Sequence, residues 1–233
     1  IKAPKLPATY NAGSSVPAIF RLLGLDLALM LVFVGGLGLA TALGFEMPEN
    51  INNTLTPTLA TAALIVIVAP IIEELVFRSW LAGHPAVLAV VPLCVGGFWL
   101  AARSPDLFDD PIMVSSLRLL GLSLALVAAP TSAFLLLRKP VPDLFIRRFA
   151  IFFWISSLAF SLYHIQNYTD ASWSMLVIIL PLVLPQFVLG TMLGYLRVHY
   201  GLIPAIALHA AHNAILFGLA ILGGLGETPA AGS

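Results

Sequence analysis

Residues 57–83 read PTLATAALIVIVAPIIEELVFRSWLAG, and the fold follows from how this stretch is understood. From Pro57 to Ile72 it carries no ionisable group, and a membrane-spanning helix needs about 20 mostly apolar residues. The same run then sets Glu73, Glu74 and Arg78 close together. One charged residue at the centre of a span costs about 2.5–3.5 kcal/mol even on a lenient insertion scale, so three of them demand a reason. At helical geometry Glu74 and Arg78 lie four apart on one face and can pair, which lowers the cost of both. Glu73 sits about 100° around the helix and must find a different partner. A carboxylate in a dry surround without a full counter-charge suits a general base.

Six further apolar runs flank this one, at about 18–44, 86–102, 114–137, 149–166, 174–198 and 202–223, separated by polar or proline-rich breaks. The expected fold class is therefore all-α and polytopic, with about seven transmembrane helices in a lipid bilayer. Composition agrees: of 233 residues 60% are hydrophobic and 9% charged, where a soluble domain carries roughly a quarter charged. The sixth run contains Pro181 and Pro185 and is expected to kink or break. Lys2, Lys5, Arg21, Arg138, Lys139, Arg147, Arg148 and Arg197 fall on one side of the alternation, Arg103 and Arg118 on the other. Basic residues collect in the cytoplasm, so the N-terminus is expected inside and the C-terminus on the opposite side. The first apolar run begins only after Val16, behind Lys2, Lys5 and Pro7, a pattern unlike a cleavable signal peptide. Eleven basic and eleven acidic residues cancel, which argues against a nucleic-acid partner. Cys94, the one cysteine, offers no disulfide framework and reads as a small buried hydrophobe.

Two more runs carry polar groups. The fifth ends in FSLYHIQNY, with Phe160 and His164 one turn apart; an interfacial histidine bonded to a neighbour is the plainer account of it. The seventh holds LHAAHNAILF, where His209 and Asn213 share a face and His212 points elsewhere. Helix-to-helix hydrogen bonding explains a His/Asn pair as well as chemistry does. Converged, the three clusters would form a polar pocket in a dry surround. Asp26 in the first run receives no role, and His84 and His199 read as interfacial. Gly35, Gly36 and Gly38, and Gly190 with Gly194 at GxxxG spacing, are expected to let helices pack closely.

Taken in order, Glu73-Glu74 with Arg78, Phe160 with His164, and His209 with Asn213 resemble the three motifs of the CAAX protease and bacteriocin-processing (Abi) family, which includes the Ras-converting CAAX endopeptidase. The stretch from Gln186 to Asn213 is similar to that family's C-terminal core. The resemblance implies intramembrane peptide-bond hydrolysis. Glu73 and His164 would activate a water, His209 and Asn213 would stabilise the oxyanion, and Glu74, Arg78 and Phe160 would support them. No cofactor is expected; a divalent metal held by Glu73, His164 and His209 is the second choice. In the family the second motif follows the first after about one helix, whereas here about 86–137 are inserted between them. The motif helices would be about 57–83, 149–166 and 202–223, in one transmembrane domain over 18–223, with a cytoplasmic segment at 1–17 and a tail at 224–233. The span ends place His164 toward the outer side and His209 toward the cytoplasm, a mismatch in depth.

Two functions from different classes follow. The first is an endopeptidase of the bacterial cytoplasmic membrane that cleaves a peptide or membrane-protein segment. The second is a non-catalytic subunit that assists a larger membrane complex through its extra helices and the 103–113 loop. Transport is less favoured, because no inverted repeat accompanies the intramembrane Glu and His.

Overall fold

The computed structural model describes residues 4–7, 14–169 and 173–223. Among these, seven helices are long and apolar enough to cross a membrane: Val16–Ala42, Leu59–Phe77, Pro85–Leu107, Pro111–Leu136, Phe149–Asn167, Met175–Tyr200 and Leu202–Leu222. The described residues form no strand, only an isolated bridge between Asn50 and Tyr168. Lys2, Asp170, Glu227, most of the expected N-terminal segment and all of the 224–233 tail lie outside the described residues. We label the helices α1 (Val16–Ala42), α2 (Leu59–Phe77), α3 (Pro85–Leu107), α4 (Pro111–Leu136), α5 (Asp143–Arg147), α6 (Phe149–Tyr163), α7 (Trp173–Leu182), α8 (Leu184–Tyr200) and α9 (Leu202–Leu222).

Two boundaries differ from the sequence reading, and the break expected in the sixth run is found. Helix α2 stops at Phe77 rather than 83, because Arg78 leaves helical geometry at φ −123°, ψ −20° and a 3₁₀ turn follows over Ser79–Ala82. Helix α3 continues to Leu107, aided by an Arg103–Asp106 ion pair of 3.0 Å at helical spacing. The loop expected at 103–113 therefore shrinks to the few residues before Pro111. The sixth run breaks between α7 and α8 at Val183, two residues before Pro185, whose missing N–H cannot continue the ladder. At the break the Val183 carbonyl accepts from both the Ser161 hydroxyl at 2.7 Å and the Phe187 N–H at 3.3 Å.

Helices α2 and α4 share a device. Each widens into a π-helical turn, Leu64–Val68 and Leu124–Ala128, just before an Ala-Pro pair, Ala69-Pro70 and Ala129-Pro130. A proline in mid-helix crowds the carbonyl one turn back, and the wider turn relieves that crowding. Ala69 N–H reaches back to the Leu64 carbonyl, and Ala129 N–H to that of Leu124. The next carbonyls, of Ile65 and Ala125, would look to Pro70 and Pro130, which have no N–H. Each is taken by a side chain instead: Asn213 Nδ2 donates to Ile65 O at 2.9 Å, and the Cys94 thiol lies 3.8 Å from Ala125 O. Cys94 is thus only partly buried and serves as a weak donor.

The described residues gather into two compact units. One comprises Ser79–Phe152 with the described part of Ile1–Leu6, and so contains the inserted stretch. Its α3 and α4 pack closely: a Cβ added to Gly97 would meet the Gly121 carbonyl oxygen at 2.5 Å. Phe145 stacks on Phe152 at 4.7 Å between centroids, with Trp80 edge-on to both. The other unit takes in the described residues of Pro7–Arg78 and Phe153–Ser233 and carries all three motifs. Its core is Phe160, Leu189, Met192, Leu193, Leu196, Ala205 and Leu208. Gly35, Gly36 and Gly38 have open space around them, so α1 makes no close approach there. Gly194 lies against the Phe153 ring, where a Cβ would stand 2.9 Å from it.

Candidate active site

The second unit encloses a cavity of about 410 Å³ whose wall includes Glu73, His164, Gln186, His209, His212 and Asn213. Ligand pockets typically span about 300–1,000 Å³, so this one is of useful size. Four elements bring these polar groups to it, with Gln186 supplied by α8. The last turns of α2 carry Glu73 and Glu74, His164 opens the 3₁₀ turn that ends α6, and α9 carries His209, His212 and Asn213.

Glu74 is wholly buried, and its Oε1 accepts two hydrogen bonds: from Arg78 Nη1 at 2.8 Å and from His209 Nδ1 at 3.0 Å. The Glu74–Arg78 pairing is the one their spacing predicts, and it leaves Glu73 unpaired with the cation. Arg78 is itself fully buried, and its Nε and Nη2 have no hydrogen-bond partner. The Phe160 ring supplies what is missing, with the guanidinium carbon 3.7 Å from its centroid in a cation–π contact. Gly190 makes room for this stack, since a Cβ there would stand 3.2 Å from both Arg78 Nη2 and the Phe160 ring. Arg197 Nε donates to the Arg78 carbonyl at 3.0 Å, fixing the backbone where α2 ends. Arg197 escaped the sequence reading, which placed it among the cytoplasmic charges.

Glu73 Oε2 is buried without a hydrogen-bond partner, 3.7 Å from His209 Nε2 and 3.9 Å from His164 Nε2. The ring tautomers follow from the other contacts. His164 Nδ1 lies 2.8 Å from the Phe160 carbonyl, which can only accept, so Nδ1 carries the proton. The same logic puts a proton on His209 Nδ1, facing the Glu74 carboxylate. In the neutral tautomers, both Nε2 atoms and Glu73 Oε2 are then three acceptors pointed at one small space. That arrangement takes protons from whatever donor enters it. His164 and His209 thus stand at the same level beside Glu73, and the mismatch in depth expected from the span ends does not occur. His164 sits just past the end of α6 whereas His209 lies inside α9, and hydropathy does not register which level of one helix meets which level of another.

His209 and Asn213 share the cavity but not a partner: His209 bonds Glu74, whereas Asn213 spends one amide N–H on Ile65 and keeps the other. Among the described residues no group of three His, Cys, Asp or Glu side chains is arranged to hold a metal ion. Two further groups on the wall had no role in the sequence reading, which had His212 pointing away from His209 and Asn213, whereas all three line one cavity. Gln186 Oε1 is buried without a partner. His212 Nδ1 bonds Asp26 Oδ2 on α1, tying the first helix to the last. The polarity of Asp26 inside an apolar run was the only signal that could have exposed this pair.

Compared with known proteins, residues 55–215 match the family model described as type II CAAX prenyl endopeptidase Rce1-like. No match was found among the curated proteins or the solved structures.

Proposed function

This chain belongs to the type II CAAX prenyl endopeptidase Rce1-like family of intramembrane proteases, and we propose that it hydrolyses a peptide bond inside the membrane with Glu73 as the base that activates water. The observation that carries this reading is the convergence of Glu73 Oε2, His164 Nε2 and His209 Nε2 at 3.7–3.9 Å on a cavity wall. Such separations are too long for direct hydrogen bonds and suit one bridging water molecule. Glu73 Oε2 and His164 Nε2 hold that water by its two protons, which turns a lone pair of its oxygen toward the substrate carbonyl.

Attack transfers a water proton to Glu73 and builds negative charge on the carbonyl oxygen. Donors positioned in advance stabilise that charge better than mobile solvent does. The unspent N–H of Asn213 is one such donor. His209 is the other when it carries both ring protons; with Glu73 and Glu74 ionised and Arg78 charged, that form leaves the four groups with no net charge, as a dry site requires. Glu74, Arg78 and Phe160 hold His209 and the end of α2 in register. The substrate is a peptide or membrane-protein segment that enters the cavity from the bilayer, and the seat of action is a bacterial cytoplasmic membrane.

Membrane fractions bearing the parent chain, Glu73→Gln or His209→Ala test this. The parent is expected to generate new peptide termini in co-reconstituted membrane proteins, and both variants to generate none at equal abundance. Equal cleavage by parent and Glu73→Gln would refute the assignment. The alternative, a non-catalytic membrane subunit, is favoured by the compact unit that the insertion forms by itself. It predicts a partner that co-purifies equally with the parent and with Glu73→Gln.

A further inference from the structure

Helix α1 runs for 27 residues, and Asp26 is its single buried side chain, at 2% exposure. The helix therefore turns inward a carboxylate, the costliest kind of group to place in a membrane. A simple clamp between α1 and α9 would not need it, because neutral Ser, Thr or Asn holds neighbouring helices together at far lower cost. The partner of Asp26 explains the choice. His212 gives its Nδ1 proton to Asp26 and lines the same cavity as Glu73, His164 and His209. His209 and His212, three apart on α9, are neighbours on the helix surface. A carboxylate on one ring nitrogen fixes the imidazole's tautomer and orientation, which leaves Nε2 to serve the cavity.

We propose that His212 is the catalytic acid that protonates the leaving amine, and that Asp26 is its positioning residue. This rests on the hydrolase reading above and concerns a step that the Glu73 cluster leaves open. The water oxygen bonds to the carbonyl carbon while Glu73 takes one of its protons. As the intermediate collapses, the C–N bond breaks, its electron pair stays on nitrogen, and the proton on His212 Nε2 moves to that nitrogen. His212 is left neutral against Asp26 and Glu73 is left protonated. Water that enters as the products leave takes the proton from Glu73 and returns one to His212.

The test compares two substrates on the full chain in phospholipid nanodiscs: a peptide it cleaves, and the same peptide with a thioester at the scissile bond. An amine must be protonated to leave, whereas a thiolate leaves without a proton. His212→Gln is expected to lower kcat on the peptide about 100-fold, within the usual worth of a general acid. KM and thioester hydrolysis should stay within about threefold, a range that marks no loss of chemistry. Asp26→Asn should show the same split at about 10-fold, through a misassigned tautomer, and it carries the comparison if His212→Gln does not fold. Equal loss on both substrates, or no loss on the peptide, overturns the proposal and leaves Asp26–His212 as a clamp. Glu73→Gln separates the two levels: it should lose both substrates, and if it keeps both at the parent rate the assignment of Glu73 as the base falls and this inference with it.

Discussion

Glu74 is sealed from the cavity and accepts from Arg78 and His209, whereas its neighbour Glu73 keeps one oxygen unpaired beside two imidazoles. Their substitutions should therefore separate. Glu74→Ala strips a buried guanidinium of its counter-charge, which typically costs about 3–5 kcal/mol; its folded yield and melting temperature should both collapse. Glu73→Gln should leave both near the parent values while removing hydrolysis. Phe160 is a third case, because its ring face packs on the buried Arg78 guanidinium beside the Glu74 ion pair. Replacing Phe160 with Leu keeps the bulk and removes the cation–π contact, with an expected stability loss of about 2 kcal/mol, readable in thermal unfolding. The separation of Glu74 from Glu73 was legible in the sequence, since only one of them stands four before Arg78. The pairing of Asp26 with His212 was not, because nothing local says which helix a lone intramembrane carboxylate will face.

Helix α2 reaches the site by way of its π-helical turn, which frees the Ile65 carbonyl for Asn213. Asn213→Ala should orphan that carbonyl and cost about 1–3 kcal/mol. Adding Pro70→Ala restores a backbone N–H that can satisfy it. The double variant should therefore recover the melting temperature but not the hydrolysis. Recovery of neither would show that the bond to Ile65 is not what Asn213 contributes to stability. The equivalent Pro130→Ala lies in the other unit, where Ala125 faces the Cys94 thiol, and should leave hydrolysis unchanged. Hydropathy identified every spanning element, because apolar length is a local property. It placed the α2 end and the α3–α4 turn wrongly by several residues, since those boundaries depend on the Arg78 backbone and on an Arg103–Asp106 pair.

At the scale of the whole molecule, the insertion between the first two motifs builds its own compact unit, and the residues of all three motifs lie in the other. Close packing inside the inserted unit depends on Gly97 and Gly121, whose backbones leave no room for a side chain. Gly97→Leu should destabilise that unit by about 1–3 kcal/mol through overpacking, seen as increased proteolysis within 79–152. The sequence pointed instead to the α1 glycines, which have open space around them, and to Gly190 and Gly194, which are closely packed, because small residues mark a capacity for close approach and not the partner that uses it. Convergence of the motifs is likewise a property of the assembled chain: sequence order proposed it, and the distances to Glu73 Oε2 show it.

The most direct measurement is hydrolysis in ¹⁸O-labelled water by the full chain reconstituted in liposomes with a library of membrane-inserted peptides, read by mass spectrometry. The account predicts fragments carrying one ¹⁸O in the new carboxyl group with the parent chain and none with Glu73→Gln. Labelled fragments at equal yield from both proteins, or a library left intact by the parent, would contradict it.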